Sequence, residues 1–87
     1  MADTINAQVL FFARSRELAG VSSVKLQVPV ETTPKELLSL ISAAYPALLP
    51  LVDSAAIAVN EEFKSSATAL TLSSGDVVAV IPPISGG

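Results

Sequence analysis

The sequence predicts a two-layer α+β domain, one helix laid over a mixed sheet, and three observations carry that prediction. Short runs rich in Val, Ile, Leu and Phe recur from Val9 to Ile81, the composition that pleated, half-buried segments favour. One segment alone, Thr33 to Tyr45, joins a helix-start signal to apolar residues at helical spacing. And with 87 residues, 51% of them hydrophobic, the chain is a single domain able to bury a core of its own.

Ile5 to Ala13 reads as the first strand, centred on Val9-Leu10-Phe11-Phe12. Alternation sets Val9 and Phe11 on one face and Leu10 and Phe12 on the other, so both faces are apolar. Arg14 to Gly20 is a polar connection closed by glycine, with room for one helical turn. Val24, Leu26 and Val28 then alternate with Ser23, Lys25 and Gln27, the pattern of a strand with one wet face, and the two runs predict a hairpin.

Thr33-Pro34-Lys35-Glu36 is the sharpest local signal in the body. Thr33 can cap, Pro34 suits the first helical position because its missing N–H costs nothing there, and Glu36 lies three after the cap. The helix therefore starts at Pro34. Leu37, Leu40, Ile41 and Ala44, with Leu38 and Tyr45 alongside, lay its apolar face on the sheet, and Pro46 ends it near Ala44 or Tyr45. Ala47 to Val52, interrupted by Pro50, reads as a short turn of helix closing the core. Ala56 to Val59 is a strand, Asn60-Glu61 a turn into the short segment Glu62-Phe63-Lys64, and Leu70-Thr71-Leu72 leads through the turn Ser73 to Asp76 into Val77 to Ile81. That last run is apolar on both faces, which usually means a strand covered on both sides. A single substantial helix cannot cover both. If the first and last strands are neighbours, Leu10, Phe12, Ala79 and Ile81 form one apolar patch, either buried by loops or left open as a partner surface.

Composition excludes several functions. The chain contains no cysteine and no histidine, which removes disulfides, thiolate metal sites, cysteine nucleophiles and the usual general base. A self-sufficient enzyme is not expected, and neither is a bound metal or cofactor. Five scattered basic residues under a net charge of -3 argue against nucleic acid. No apolar run approaches the length of a membrane span and the start lacks signal-peptide character, so the expected location is the cytoplasm.

The sequence ends Ile81-Pro82-Pro83-Ile84-Ser85-Gly86-Gly87. Two glycines present no side chain, so such an end can enter a channel only as wide as a backbone and offer a terminal carboxylate. A frayed end or an expression scar is the plain alternative. Against it stands the context: a strand runs directly into two prolines, which hold a segment extended, and six residues reach roughly 20 Å from the body.

These residues carry a family resemblance. Val9 to Ala13, Arg16-Glu17-Leu18-Ala19-Gly20, Ala58-Val59-Asn60 and above all Gly75 to Gly87, with its Gly-Asp turn, strand and Pro-Pro-x-x-Gly-Gly end, resemble the small subunit of molybdopterin synthase, the MoaD family of sulfur carriers. Tyr45 to Ala55 matches no motif of that family. The resemblance implies a ubiquitin-like β-grasp domain over residues 1–81 with a flexible extended tail over 82–87. It implies that an E1-like enzyme adenylates the Gly87 carboxylate with ATP, that sulfur converts it to a thiocarboxylate (a C-terminal 1-thioglycine), and that Gly86 gives clearance. The tail then enters the large synthase subunit and donates sulfur to cyclic pyranopterin monophosphate, building the molybdopterin dithiolene. Phe12, Phe63 and Ile81 match the family's apolar contact with that subunit, Pro82, Pro83, Ile84 and Ser85 lead into its site, and two carriers with two large subunits make a heterotetramer. Carriers for thiamine or tRNA thiolation, and ubiquitin-like modifiers of lysine, share the fold and the diglycine and are the alternatives.

Overall fold

The computed structural model describes residues 3–83. The expectations placed on Ile84, Ser85, Gly86 and Gly87 lie outside the described residues. Strands β1 (Thr4–Phe11) and β2 (Ser23–Pro29) form the expected antiparallel hairpin, with Val9 opposite Val24. They are linked through a short helix, α1 (Arg14–Ala19). A two-residue strand β3 (Glu31–Thr32) precedes the main helix α2 (Pro34–Ala44), and a 3₁₀ helix follows at Pro46–Leu51. Then come β4 (Ala56–Val59), β5 (Glu62–Lys64), β6 (Leu70–Thr71) and β7 (Val77–Ile81). Five strands form one sheet in the order β2-β1-β7-β4-β5, while β3 and β6 pair apart from it. β7 runs parallel to β1 and antiparallel to β4, so the sheet is mixed, and the first and last strands are neighbours at its centre.

The main helix begins as the capping signal requires. Thr33 Oγ1 accepts the Glu36 N–H at 3.2 Å and donates to Glu36 Oε1 at 3.1 Å, and Pro34 occupies the first turn. Its buried face is Pro34, Leu37, Leu38, Ile41 and Ser42. Leu40 and Ala44, expected on that face, are exposed instead: they lie on the far side of the stripe set by the i, i+3, i+4 steps from Pro34. Opposite this helix the sheet presents Ala7, Val9, Phe11, Val28, Ile57, Val59, Val78 and Val80 to one core, each large member contributing roughly 1.5–3 kcal/mol by burial. Tyr45 closes the end of the helix edge-on to Phe11, ring centroids 5.4 Å apart.

One further expectation is corrected by backbone geometry, and the helical turn expected after it is found. The first strand does not run on to Ala13 but stops at Phe11, because Ala13 takes φ 52, ψ −125 and turns the chain out of the sheet. The polar connection after it is a six-residue helix whose Ser15 is fully buried.

Candidate functional site: an open sheet face and the exit of the C-terminal segment

The turn at Asn60-Glu61 decides where Phe63 goes. Both residues have positive φ, 49° and 72°, the pair of values that a two-residue hairpin of matching twist needs. The β4–β5 register that results sets Phe63 opposite Ala58. Asn60 also fixes the neighbouring strand: its N–H donates to the Val77 carbonyl at 2.8 Å, its Oδ1 accepts the Val77 N–H at 3.0 Å, and its Nδ2 donates to Asp76 Oδ1 at 3.2 Å. Asp76 Oδ2 in turn accepts the Ser73 N–H at 2.8 Å, across a turn in which Gly75 takes φ 89. The start of β7 is thereby locked in register with β4.

With those registers fixed, one row crosses the face turned away from the helix: Leu10 of β1, Ala79 of β7, Ala58 of β4 and Phe63 of β5. A second row follows with Ile81 opposite Ala56, and Phe12 lies one residue beyond the end of β1. No charged side chain stands in either row. Phe63 is 70% exposed and Phe12 47%, while Leu10, Ala79, Ile81 and Ala56 are half-buried. Of the two readings of the apolar patch, burial by loops or an open surface, the structure takes the second. It brings Phe12 and Ile81 to one end of the face and Phe63 to the other edge.

Where β7 ends, Pro82 is half-buried and Pro83 exposed. Together with Phe12, Arg14, Leu51 and Ile81 they line an open groove, so the departing chain begins in contact with the body. Ala56, Ala58, Arg14 and Leu51 were not identified as site residues from the sequence. The alternation Ala56-x-Ala58 was the available signal for the first two: small residues on the outer face of a central strand leave room for the aromatic beside them. For Arg14 and Leu51 there was none, since the groove joins segments distant in sequence. Within residues 3–83 no group of acidic residues is placed to hold a metal ion, and no helix is long and apolar enough to cross a membrane. The arrangement can bind an apolar surface and aim a chain end.

A mixed sheet with β1 and β7 parallel at its centre and a helix across one face is the ubiquitin-like β-grasp. The chain belongs to the ThiS family, which it matches over residues 9–87. The molybdopterin synthase sulfur carrier subunit of Drosophila yakuba is 40% identical over 84 residues, 95% of this chain and 92% of the relative. Among solved structures, SAMP1 from Haloferax volcanii superposes with TM-score 0.76 at 27% identity, covering 94% of this chain and 99% of that one. The complex of subunits 1 and 2 of the molybdopterin-converting factor from Helicobacter pylori gives TM-score 0.65 at 25% identity, covering 95% and 100%.

Proposed function

We propose that this protein is the sulfur carrier of a two-component molybdopterin synthase. The observation that carries the reading is the near full-length identity to relatives of that name, with a family match that runs through Gly86 and Gly87. In this reading the Gly87 carboxylate attacks the α-phosphorus of ATP on an E1-like enzyme and expels pyrophosphate. A sulfur nucleophile then displaces AMP from the acyl carbon and leaves a thiocarboxylate. Gly86, without a side chain, lets the end pass through a narrow channel. The thiocarboxylate sulfur attacks a side-chain carbon of the cyclic pyranopterin, the carbon–oxygen bond there breaks and its oxygen departs, and water cleaves the acyl–sulfur bond, restoring the carboxylate and leaving sulfur on the pterin. The dithiolene needs two such deliveries, consistent with two carriers and two large subunits in one assembly, acting in the cytoplasm.

The open face is the docking surface for the large subunit, with Phe12, Phe63 and Ile81 as anchors and Pro82 to Ser85 leading into the partner's site. An exposed, uncharged patch rimmed by polar residues is the usual form of such a surface. The likeness to SAMP1, a small archaeal modifier protein, favours attachment to lysine amines as a second reading, since an activated Gly87 serves either acceptor. Reconstitution separates them: thiocarboxylated carrier, large subunit and cyclic pterin should yield molybdopterin, and the carboxylate form should not. Lysine conjugates without pterin product would support the modifier.

A further inference from the structure

We propose that Ser15 is a positioning residue for sulfur delivery, setting the line along which the C-terminal segment leaves the sheet; this rests on the sulfur-carrier reading above. The observation is a replaced rung in the β1–β7 ladder. The Gln8 N–H donates to the Asp76 carbonyl at 3.0 Å, and the parallel register pairs Gln8 with Val77 and Leu10 with Ala79. Rungs of this kind recur every second residue, so the next ones from β1 fall from Leu10 to Val78 and from Phe12 to Val80. The Phe12 N–H does not make that bond. It donates to Ser15 Oγ at 3.0 Å, and the same hydroxyl lies 3.2 Å from the Val80 carbonyl and 2.7 Å from the Phe12 carbonyl. A side-chain hydroxyl has been inserted in the rung, accepting from one strand and sharing its single proton between that strand's carbonyl and the other's.

The local backbone is bent to make this possible. Ala13 holds a positive φ, unusual for a residue with a Cβ, and the turn it makes is closed by the Ser15 N–H donating to the Phe12 carbonyl at 3.1 Å. Ser15 is brought by that turn to the place where β1 and β7 part and is fully buried there. The inserted hydroxyl stands where Phe12 and Ile81 would otherwise have become the next pair in register, and Phe12, Ile81, Pro82 and Pro83 line one groove beside it. Val80 lies two residues before Pro82, and its carbonyl is the last point at which the β1 side holds the strand before the tail, Ile81 being paired with Ala56 of β4 on the other side. Without the hydroxyl, either the strands close to a direct rung or two polar groups lose their partner, and both outcomes re-aim the tail.

The test uses the full chain, thiocarboxylated, with the large subunit and cyclic pterin in single turnover at saturating large subunit, comparing wild type, Ser15→Ala and Ser15→Thr. Ser15→Ala is expected to slow sulfur transfer about tenfold, short of the roughly hundredfold that a 1 Å misplacement of a reacting group can cost, with the dissociation constant for the large subunit changed less than about threefold. Ser15→Thr, which keeps a hydroxyl, should recover at least part of the rate. Amide shifts of Phe12 and Ile81 in the free protein should move in the alanine variant and return toward wild type in the threonine variant. An alanine variant transferring at the wild-type rate overturns the proposal, as does a slow one whose Phe12 and Ile81 amides have not moved. Failure of the wild type itself to transfer sulfur would overturn the functional reading instead.

Discussion

Replacing Phe63 by aspartate separates the binding role of the open face from its role in the fold. The ring is 70% exposed in the free chain. An aromatic side chain carries about 150–250 Å² of surface, so about 45–75 Å² of it is hidden by the fold. At about 25 cal/mol per Å² this contributes roughly 1–2 kcal/mol to folding, as an upper estimate. The remaining surface, about 105–175 Å², is available to a partner, and the same coefficient gives about 2.5–4.5 kcal/mol, of which only a surplus appears as affinity. Phe63→Asp is therefore expected to weaken binding to the large subunit by at least about 2 kcal/mol, about thirtyfold in dissociation constant, because it also leaves a charge without a partner in the interface. The melt should fall by no more than about 5–10 °C for a chain of this size. Titration calorimetry against the large subunit, beside a thermal melt followed by circular dichroism, measures both. Binding within twofold of wild type together with a collapsed fold would refute the assignment of this face.

Three other perturbations test separate parts of the account. Deleting Gly87, or placing a bulky residue at Gly86, should abolish sulfur transfer while stability changes by less than about 0.5 kcal/mol, as read from the reconstituted reaction and a denaturant titration. A Pro82→Gly, Pro83→Gly double variant should fold but bind the large subunit about 1–2 kcal/mol more weakly, since two more residues must then be ordered. Its adenylation, followed by pyrophosphate release, should slow as well. Asn60→Ala removes the clasp on Asp76 and Val77 and puts a residue with a Cβ, but no side-chain amide, at positive φ. It should cost about 1–3 kcal/mol by denaturant titration, and an unchanged midpoint would show that the clasp does not hold the register.

What the sequence made legible was mostly local. The capped start at Thr33, the hairpin formed by Val9 and Val24, the turn at Asn60-Glu61 and the strand ending at Ile81 each depend on residues close together in the chain, and each was found where expected. The fold family followed from the Gly75 to Pro83 stretch and the diglycine beyond it. What the sequence left open depends on distant partners. Glu31-Thr32 has no strand pattern of its own and becomes one only because Leu70-Thr71 lies beside it. The neighbouring of β1 and β7 was a condition of the predicted patch, and no residue in either strand announces it. Ser15 looked like one polar residue in a polar linker, yet it is buried, its hydroxyl brought by the turn at Ala13 between the Phe12 and Val80 carbonyls. Leu40 and Ala44 fit a helical repeat loosely, and only the exact azimuth of the packed stripe excluded them.

The central claim is that Gly87 carries sulfur, and intact mass spectrometry tests it most directly. After incubation with ATP, a sulfide source and the E1-like enzyme, the chain should gain the mass difference of one sulfur for one oxygen, confined to a C-terminal fragment. Addition of large subunit and cyclic pterin should return that mass to its starting value as molybdopterin appears. A mass that does not change on activation, or a sulfur that stays on the chain when large subunit and pterin are both present, would contradict the account.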